Sequence, residues 1–284
     1  VSIHAPVVAS VSGGKDSTAL CLHLREQGTP YRAVHMDTGW EHPLTDAYLR
    51  DVLEPAIGPI EWLVPPRGFA DLVRHKGIFP SRKKRFCTEH LKIFPLMAWM
   101  ADQYPHDDVL NAVGIRAAES QARAGLEEYE DTSWATTWRP LLQWSEADVI
   151  EIHRRHNLPP NPLYLPPYNM TRVGCWPCLF ARKEEVAAIA RLDPRRIDAI
   201  RELEREMRAL PQHTARLDAA EGPLRWVPTF AVARRPDGSG GHVTQSISID
   251  DLVAWAQTAR GGQQMQFWLD DDRSGCMRWG VCDT

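Results

Sequence analysis

The stretch Val7-Val8-Ala9-Ser10-Val11-Ser12-Gly13-Gly14-Lys15-Asp16-Ser17-Thr18 decides the fold. Residues 5–11 read as a buried strand. The glycine pair then turns the chain into an amphipathic helix expected to begin at or near Asp16 and Ser17 and to run to Gln27. A helix that starts at a strand end brings unbonded backbone N–H groups and the positive end of its dipole to one point, which makes an anion site. Gly13 and Gly14 admit a phosphate closer to the backbone than a Cβ would allow. Lys15 adds a mobile positive charge, and Ser12, Ser17 and Thr18 add hydroxyl donors. The Walker A pattern does not fit, because it needs glycine at position 9 and Ala9 stands there.

Working outward, Tyr31 to Met36, Ile60 to Val64 and Val109 to Gly114 read as further strands, with helical patterns over Pro43 to Leu53 and His90 to Gln103. Strands alternating with helices predict right-handed βαβ units. The expected fold class is therefore α/β, a doubly wound parallel sheet. Ligands of such sheets sit at the carboxyl ends of the strands. Asp37-Thr38-Gly39 closes the second strand there, where a carboxylate can hold Mg²⁺, a ribose hydroxyl or a lysine, or simply end the strand in a turn.

Near residue 181 the composition changes. Arg182 to Arg208 is charged and helical. Trp226 to Val232 is apolar, Pro236 to Gly241 is a polar turn, and a helix is expected from about Ser248 to Ala259. The expected division is a nucleotide-binding domain over 1–181 and a smaller α+β appendage over 182–284 that carries a cysteine-bearing tail.

The chain of 284 residues is 43% hydrophobic and 25% charged, with a net charge of −4, ordinary values for a soluble globular protein. That balance gives no global attraction to nucleic acid or membrane, so polyanion binding would need a local patch. No apolar run approaches the roughly 18 residues of a membrane span. The N-terminus lacks a basic leader. Six cysteines in such a chain favour metal or redox chemistry over a disulfide framework, and a cytoplasmic setting is expected. Cys21 falls on the apolar face of the first helix with Leu20 and Leu24 and reads as core. Cys175-Trp176-Pro177-Cys178 forms a Cys-x-x-Cys knuckle that suits zinc, an iron–sulfur cluster or a redox disulfide. Cys87, Cys276 and Cys282 are the other candidate ligands. Arg82-Lys83-Lys84-Arg85 precedes Cys87 and offers a docking patch for a nucleotide phosphate or a polynucleotide backbone, though such runs are usually just solvated. Among eleven tryptophans, Trp134, Trp138 and Trp144 could stack bases, with burial the better default.

Ser12-Gly13-Gly14-Lys15-Asp16-Ser17 resembles the PP-loop of the adenine-nucleotide α-hydrolase superfamily. Gly114-Ile115-Arg116-Ala117-Ala118-Glu119-Ser120-Gln121-Ala122-Arg123 resembles the Gly-Ile-Arg-x-x-Glu-Ser-x-x-Arg stretch of the phosphoadenosine phosphosulfate (PAPS) reductase family. Read as a helix, that segment puts Arg116, Glu119 and Ser120 on one face, with Arg123 one turn beyond Glu119. The two arginines would grip phosphate or sulfate while Glu119 orients them. Arg139 to Val149 matches again, with Ser145 as an N-cap and Asp148 closing a capping box on a helix that runs to about His156. Leu158-Pro159-Pro160-Asn161-Pro162-Leu163-Tyr164 resembles the family's Leu-Pro-x-Asn-Pro-Leu-Tyr turn, expected to build the wall of the site. The likeness spans roughly residues 5–183.

The resemblance implies an adenine nucleotide, ATP or PAPS, bound by residues 12–18, Asp37, Thr38, Gly39, Gly114, Arg116, Glu119 and Arg123. The candidate catalytic side chains are Lys15, Asp16, Cys276 and Cys282. Cys87 with the Cys175/Cys178 knuckle is similar to the cluster-bearing branch, which implies a [4Fe–4S] cluster, with zinc as the alternative. That branch has two adjacent cysteines where this chain has Phe86-Cys87, so Cys276 or Cys282 would have to supply a ligand. The tail Ser274-Gly275-Cys276-Met277-Arg278-Trp279-Gly280-Val281-Cys282-Asp283 lacks the glutamate and histidine of the reductases' Glu-Cys-Gly-Leu/Ile-His motif. Three readings follow: ATP-dependent adenylation coupled to iron–sulfur-assisted sulfur transfer, sulfonucleotide reduction releasing sulfite, and nucleotide binding without turnover inside a larger assembly. The expected partners are a nucleic-acid or protein acceptor near residues 82–85 and a sulfur-donor or thiol-reductant protein.

Overall fold

The computed structural model describes residues 5–81, 84–106, 108–211, 213, 229–236 and 242–258. They form two compact units, one built from residues 5–66 and 89–175, the other from residues within 67–88 and 176–258.

The first unit is a six-stranded sheet with helices on both faces, the expected α/β architecture. Its strands are β1 (Val7–Ser10), β2 (Arg32–Met36), β3 (Ile60–Leu63), β4 (Leu110–Ala112), β5 (Tyr129–Asp131) and β6 (Thr136–Trp138), in the spatial order β3-β2-β1-β4-β6-β5. All neighbours are parallel except β5 and β6, an antiparallel hairpin at one edge. The order reverses between β1 and β4, which opens a crevice beside the carboxyl end of β1.

Alternation along the strands explains the double covering. Val7, Ala9 and Val11 face a core that includes Leu20, Leu22 and Leu24 of α1 (Lys15–Glu26) and Val149 and Ile152 of the helix Glu146–Arg155. Val8 points the other way, onto Val34, Val109, and Leu96 and Met100 of the helix Phe94–Gln103. Cys21 is fully buried among the first set, as its helical spacing predicts, and burial pushes its thiol up to about 12 against a hydrogen bond from Tyr31.

Several expected elements are trimmed or broken. The helix expected over Pro43 to Leu53 is an α-turn, Pro43–Tyr48, followed by a π-helical turn, Leu49–Leu53. The one expected over His90 to Gln103 begins as a π-helical turn, Glu89–Ile93, before the α-helix Phe94–Gln103. The sequence reading lacked β5 and β6, which have three residues each.

In the second unit, the helices Lys183–Leu192 and Pro194–Arg208 break at Asp193, whose carboxylate accepts from the N–H of Arg196. β7 (Ala231–Pro236) and β8 (His242–Ile247) form an antiparallel pair followed by the helix Ile249–Ala256. Glu204 is buried and clasps this unit, accepting from Phe230 N–H at 2.9 Å and Ile249 N–H at 3.0 Å. Glu204→Ala is expected to cost about 2–3 kcal/mol, since it strands two buried donors. Glu204→Gln keeps an acceptor and should recover most of that in urea unfolding. No helix among the described residues is long and apolar enough to cross a membrane.

Candidate functional site

β1 delivers the chain at Ser10, and Val11 N–H is taken by Val34 O of β2 at 2.8 Å, so the loop leaves a fixed frame. Gly13 then adopts a φ of +73°, a left-handed conformation that favours glycine. Gly14 is the N-cap of α1 and has no side chain to cap it, so the first-turn N–H groups face the loop. Side chains distant in sequence hold the shape. The Tyr164 hydroxyl accepts from Lys15 N–H at 3.0 Å, and Asn161 Nδ2 donates to Gly13 O at 3.2 Å. His153 Nε2 donates to Lys15 O at 2.9 Å. Ser12 and Ser17 bring their Oγ atoms within 3.1 Å of each other, and Ser17 also donates to Gly14 O. Thr18 differs from expectation. It is fully buried beside Tyr48, one turn into the helix, and offers the loop no hydroxyl.

Lys15 is not the mobile charge its sequence position implied. Its side chain is buried, with Nζ 2.9 Å from Asp16 Oδ2 and 3.8 Å from Glu146 Oε1. On the other side, Asp16 Oδ1 accepts from Arg116 Nε at 2.7 Å, and Arg116 is only 2% exposed. Two cations and two carboxylates thus alternate beneath the loop. Burial would raise the Asp16 carboxyl, but Lys15 and Arg116 outweigh it and hold the group below the usual carboxylate range. Glu146 goes the other way, raised by burial despite Lys15 and Arg116. The sequence reading saw Glu146 only as part of a helix start. That start is as expected, with Ser145 and Asp148 forming a reciprocal capping box.

The segment from Arg116 to Arg123 is not one helix. Arg116 is extended, Ala117–Glu119 is a 3₁₀ turn, Ser120 is extended, and Gln121–Ala124 is a single α-turn. The shared-face argument therefore fails: the Arg116 side chain turns to Asp16, and only its backbone meets Glu119. Glu119 accepts from Arg116 N–H at 2.9 Å and pairs with the Arg123 guanidinium. Gly114 abuts the start of α1, where a Cβ would lie 2.6 Å from Asp16 O.

At the end of β2, Asp37 Oδ1 accepts from Gly39 N–H at 2.9 Å in a tight turn. Thr38 is buried and donates to Glu41 Oε1 at 2.6 Å. A small cleft between this turn and the glycine loop is lined by Val11, Ser12, His35, Met36, Glu41 and Lys92.

Cys87 and Cys175 are half-buried and Cys178 is exposed. Cys276, Cys282, Arg82 and Lys83 lie outside the described residues. Among the described residues, no group of three or more His, Cys, Asp or Glu side chains is placed to hold a metal. Cys87, Cys175 and Cys178 are soft donors that suit iron–sulfur or zinc.

Burial also depresses His153 to about 4, against its bond to the Lys15 carbonyl. The unfolded chain, with its histidine near 6.5, takes up a proton that the folded state refuses. Stability should therefore fall as pH drops from about 6.5 to 4, with a slope of up to about 1.4 kcal/mol per pH unit, and level off below. His153→Gln is expected to flatten this slope in urea titrations across that range.

A family model of the phosphoadenosine phosphosulfate reductase domain matches residues 6–181. A 37.8 kDa protein from the gpa 5′ region of Escherichia phage 186 is 31% identical, covering 97% of this chain and 96% of its own. The adenosine 5′-phosphosulfate reductase of Allochromatium vinosum is 31% identical over 61% of this chain and 67% of its own. The solved phosphoadenylyl-sulfate reductase of Candida auris, in a phosphate complex, superposes with a TM-score of 0.47 at 19% identity, over 61% of this chain and 83% of that one. The chain belongs to the phosphoadenosine phosphosulfate reductase family.

Proposed function

We propose that the protein is an enzyme that binds ATP at the glycine loop and adenylates an oxygen on an acceptor, which sulfur then replaces. The observation that carries this reading is the pre-set loop: an uncapped helix N-terminus at the carboxyl end of β1, held by Tyr164 and Asn161. In this reading, attack on the α-phosphate breaks its bond to the bridging oxygen, and pyrophosphate departs toward the loop. The loop amides other than that of Lys15, which Tyr164 holds, and the Ser12 hydroxyl stabilise the charge building there. Arg116 and Lys15, locked by Asp16, hold the start of α1 rigid beneath the loop. Arg123, half-buried and oriented by Glu119, holds the remaining phosphate.

An iron–sulfur cluster on Cys87, Cys175, Cys178 and one of Cys276 or Cys282 would supply the sulfur-handling chemistry. The acceptor, nucleic acid or protein, would dock near residues 82–85, and a sulfur-donor protein would reload the site. The tail around Cys276, without glutamate or histidine, favours this over sulfonucleotide reduction. The likeness to adenosine 5′-phosphosulfate reductases supports reduction as the second reading, with Cys276 or Cys282 attacking sulfur.

Equilibrium binding of ATP and of PAPS to protein purified without oxygen separates the two. The expected result is a preference for ATP, weakened at least tenfold by Lys15→Ala, which leaves Glu146 without its cation and Asp16 with Arg116 alone. A preference for PAPS would sink the adenylation reading.

A further inference from the structure

His35 stands on β2 on the α1 side of the sheet and lines the cleft beside the glycine loop, yet it is only 3% exposed. Its Nδ1 lies 2.8 Å from Val11 O, and a carbonyl can only accept, so Nδ1 carries the proton. Trp62 packs edge-on against the ring with centroids 4.6 Å apart, which fixes its plane. Burial lowers the pKa of the ring, against the pull of the Val11 bond and of Glu41, Asp46 and Asp37, and keeps it neutral at pH 7.

A neutral imidazole protonated on Nδ1 presents only a lone pair at Nε2. That atom is shielded from solvent and has no hydrogen-bond partner among the described residues. Buried polar atoms are almost always paired, so a lone acceptor on a residue that lines a cleft calls for a donor from outside the chain. The bond to Val11 explains one ring nitrogen and leaves the other without a structural role.

We propose that His35 is a specificity-determining residue whose Nε2 accepts a hydrogen bond from a donor on the nucleoside of the bound nucleotide, a base amine or a ribose hydroxyl. The assignment rests on the nucleotide reading above. Ser12 in the same cleft places it next to the phosphate-binding loop, and Val11 and Met36 supply an apolar wall against which a nucleoside can lie. A nucleoside with an acceptor in that position would set lone pair against lone pair and be rejected.

Adenosine 5′-monophosphate is the probe, because ATP contains it and PAPS contains it with a phosphate on the 3′-oxygen. Its affinity, and those of analogues lacking the 6-amino, the 2′-hydroxyl or the 3′-hydroxyl group, would be measured calorimetrically on wild type, His35→Asn and His35→Gln. Asparagine keeps a donor for Val11 O while deleting the Nε2 acceptor; glutamine keeps an acceptor at the Nε2 position. His35→Asn is expected to weaken the monophosphate about tenfold, yet to bind one of the three analogues as wild type does. That analogue identifies the donor, and His35→Gln should bind the monophosphate close to wild type. An unchanged affinity in His35→Asn, or an equal loss for the monophosphate and all three analogues, would overturn the assignment and leave water or packing as the role of Nε2. Failure of the wild type to bind the monophosphate at all would overturn the nucleotide reading itself, and the assignment with it.

Discussion

Gly114→Ala is expected to abolish nucleotide binding and to destabilise the first unit by about 3 kcal/mol, at the upper end of overpacking costs. The added Cβ would sit 2.6 Å from Asp16 O, 2.8 Å from Asp16 C and 3.0 Å from Ser17 N. All three are backbone atoms in the first turn of α1, so no side-chain rotation relieves the clash. Either β4 or the start of α1 must move, and moving α1 displaces the amides that face the loop. Gly125→Ala is the control, since a Cβ there meets nothing within 4 Å and its φ is −95°. That variant should lie within about 0.5 kcal/mol of wild type. Thermal unfolding and ATP binding on both variants decide the matter; near-normal binding by Gly114→Ala would show that β4 and α1 are not rigidly apposed.

Asp16→Ala is expected to be similarly severe, at about 3–5 kcal/mol. It leaves the Lys15 and Arg116 side chains, 2% and 3% exposed, without the carboxylate between them, and Glu146 reaches Lys15 only at 3.8 Å. Arg116→Ala alone also destabilises, but the double variant should cost less than the sum by about 0.5–3 kcal/mol, because the second change removes a charge the first left stranded. The pH dependence follows from the depressed Asp16 carboxyl. Its contribution is complete above the ordinary carboxylate value of about 4 and is lost as pH falls through the lower folded value. Asp16→Ala should remove that part of the acid transition, read by urea unfolding between pH 2 and 5. Strict additivity of the two single variants would mean that Asp16 and Arg116 are not coupled.

The sheet was legible in the sequence wherever a strand ran long enough to show its apolar character. Val7 to Val11 and Tyr31 to Met36 announce themselves, whereas three-residue strands such as Thr136–Trp138 hold too few side chains to display an alternation. The glycine loop and the Ser145 capping box are local chemistry and could be read locally. What could not be read was the partner of each charge. Nothing near Lys15 in the sequence indicates that Glu146 reaches it, or that Arg116 turns toward Asp16 rather than along its own segment. The extended backbone at Arg116 has the same kind of origin, since Ala117 N–H bonds to Leu142 O across the site. Residues 67–88 cluster with residues beyond 176, an association that leaves no local trace.

The Tyr164 hydroxyl and the Asn161 amide that hold the glycine loop arrive far later along the chain than the loop itself. During synthesis the loop is therefore made early and stays dormant. Its glycines keep their full conformational freedom until the turn at 161–164 closes over them, and so long a closure is slow compared with winding α1. On the proposed reading, nucleotide capture would report that the first unit has closed, and a nascent chain that stops short of Tyr164 would carry the glycine loop without the contacts that hold it.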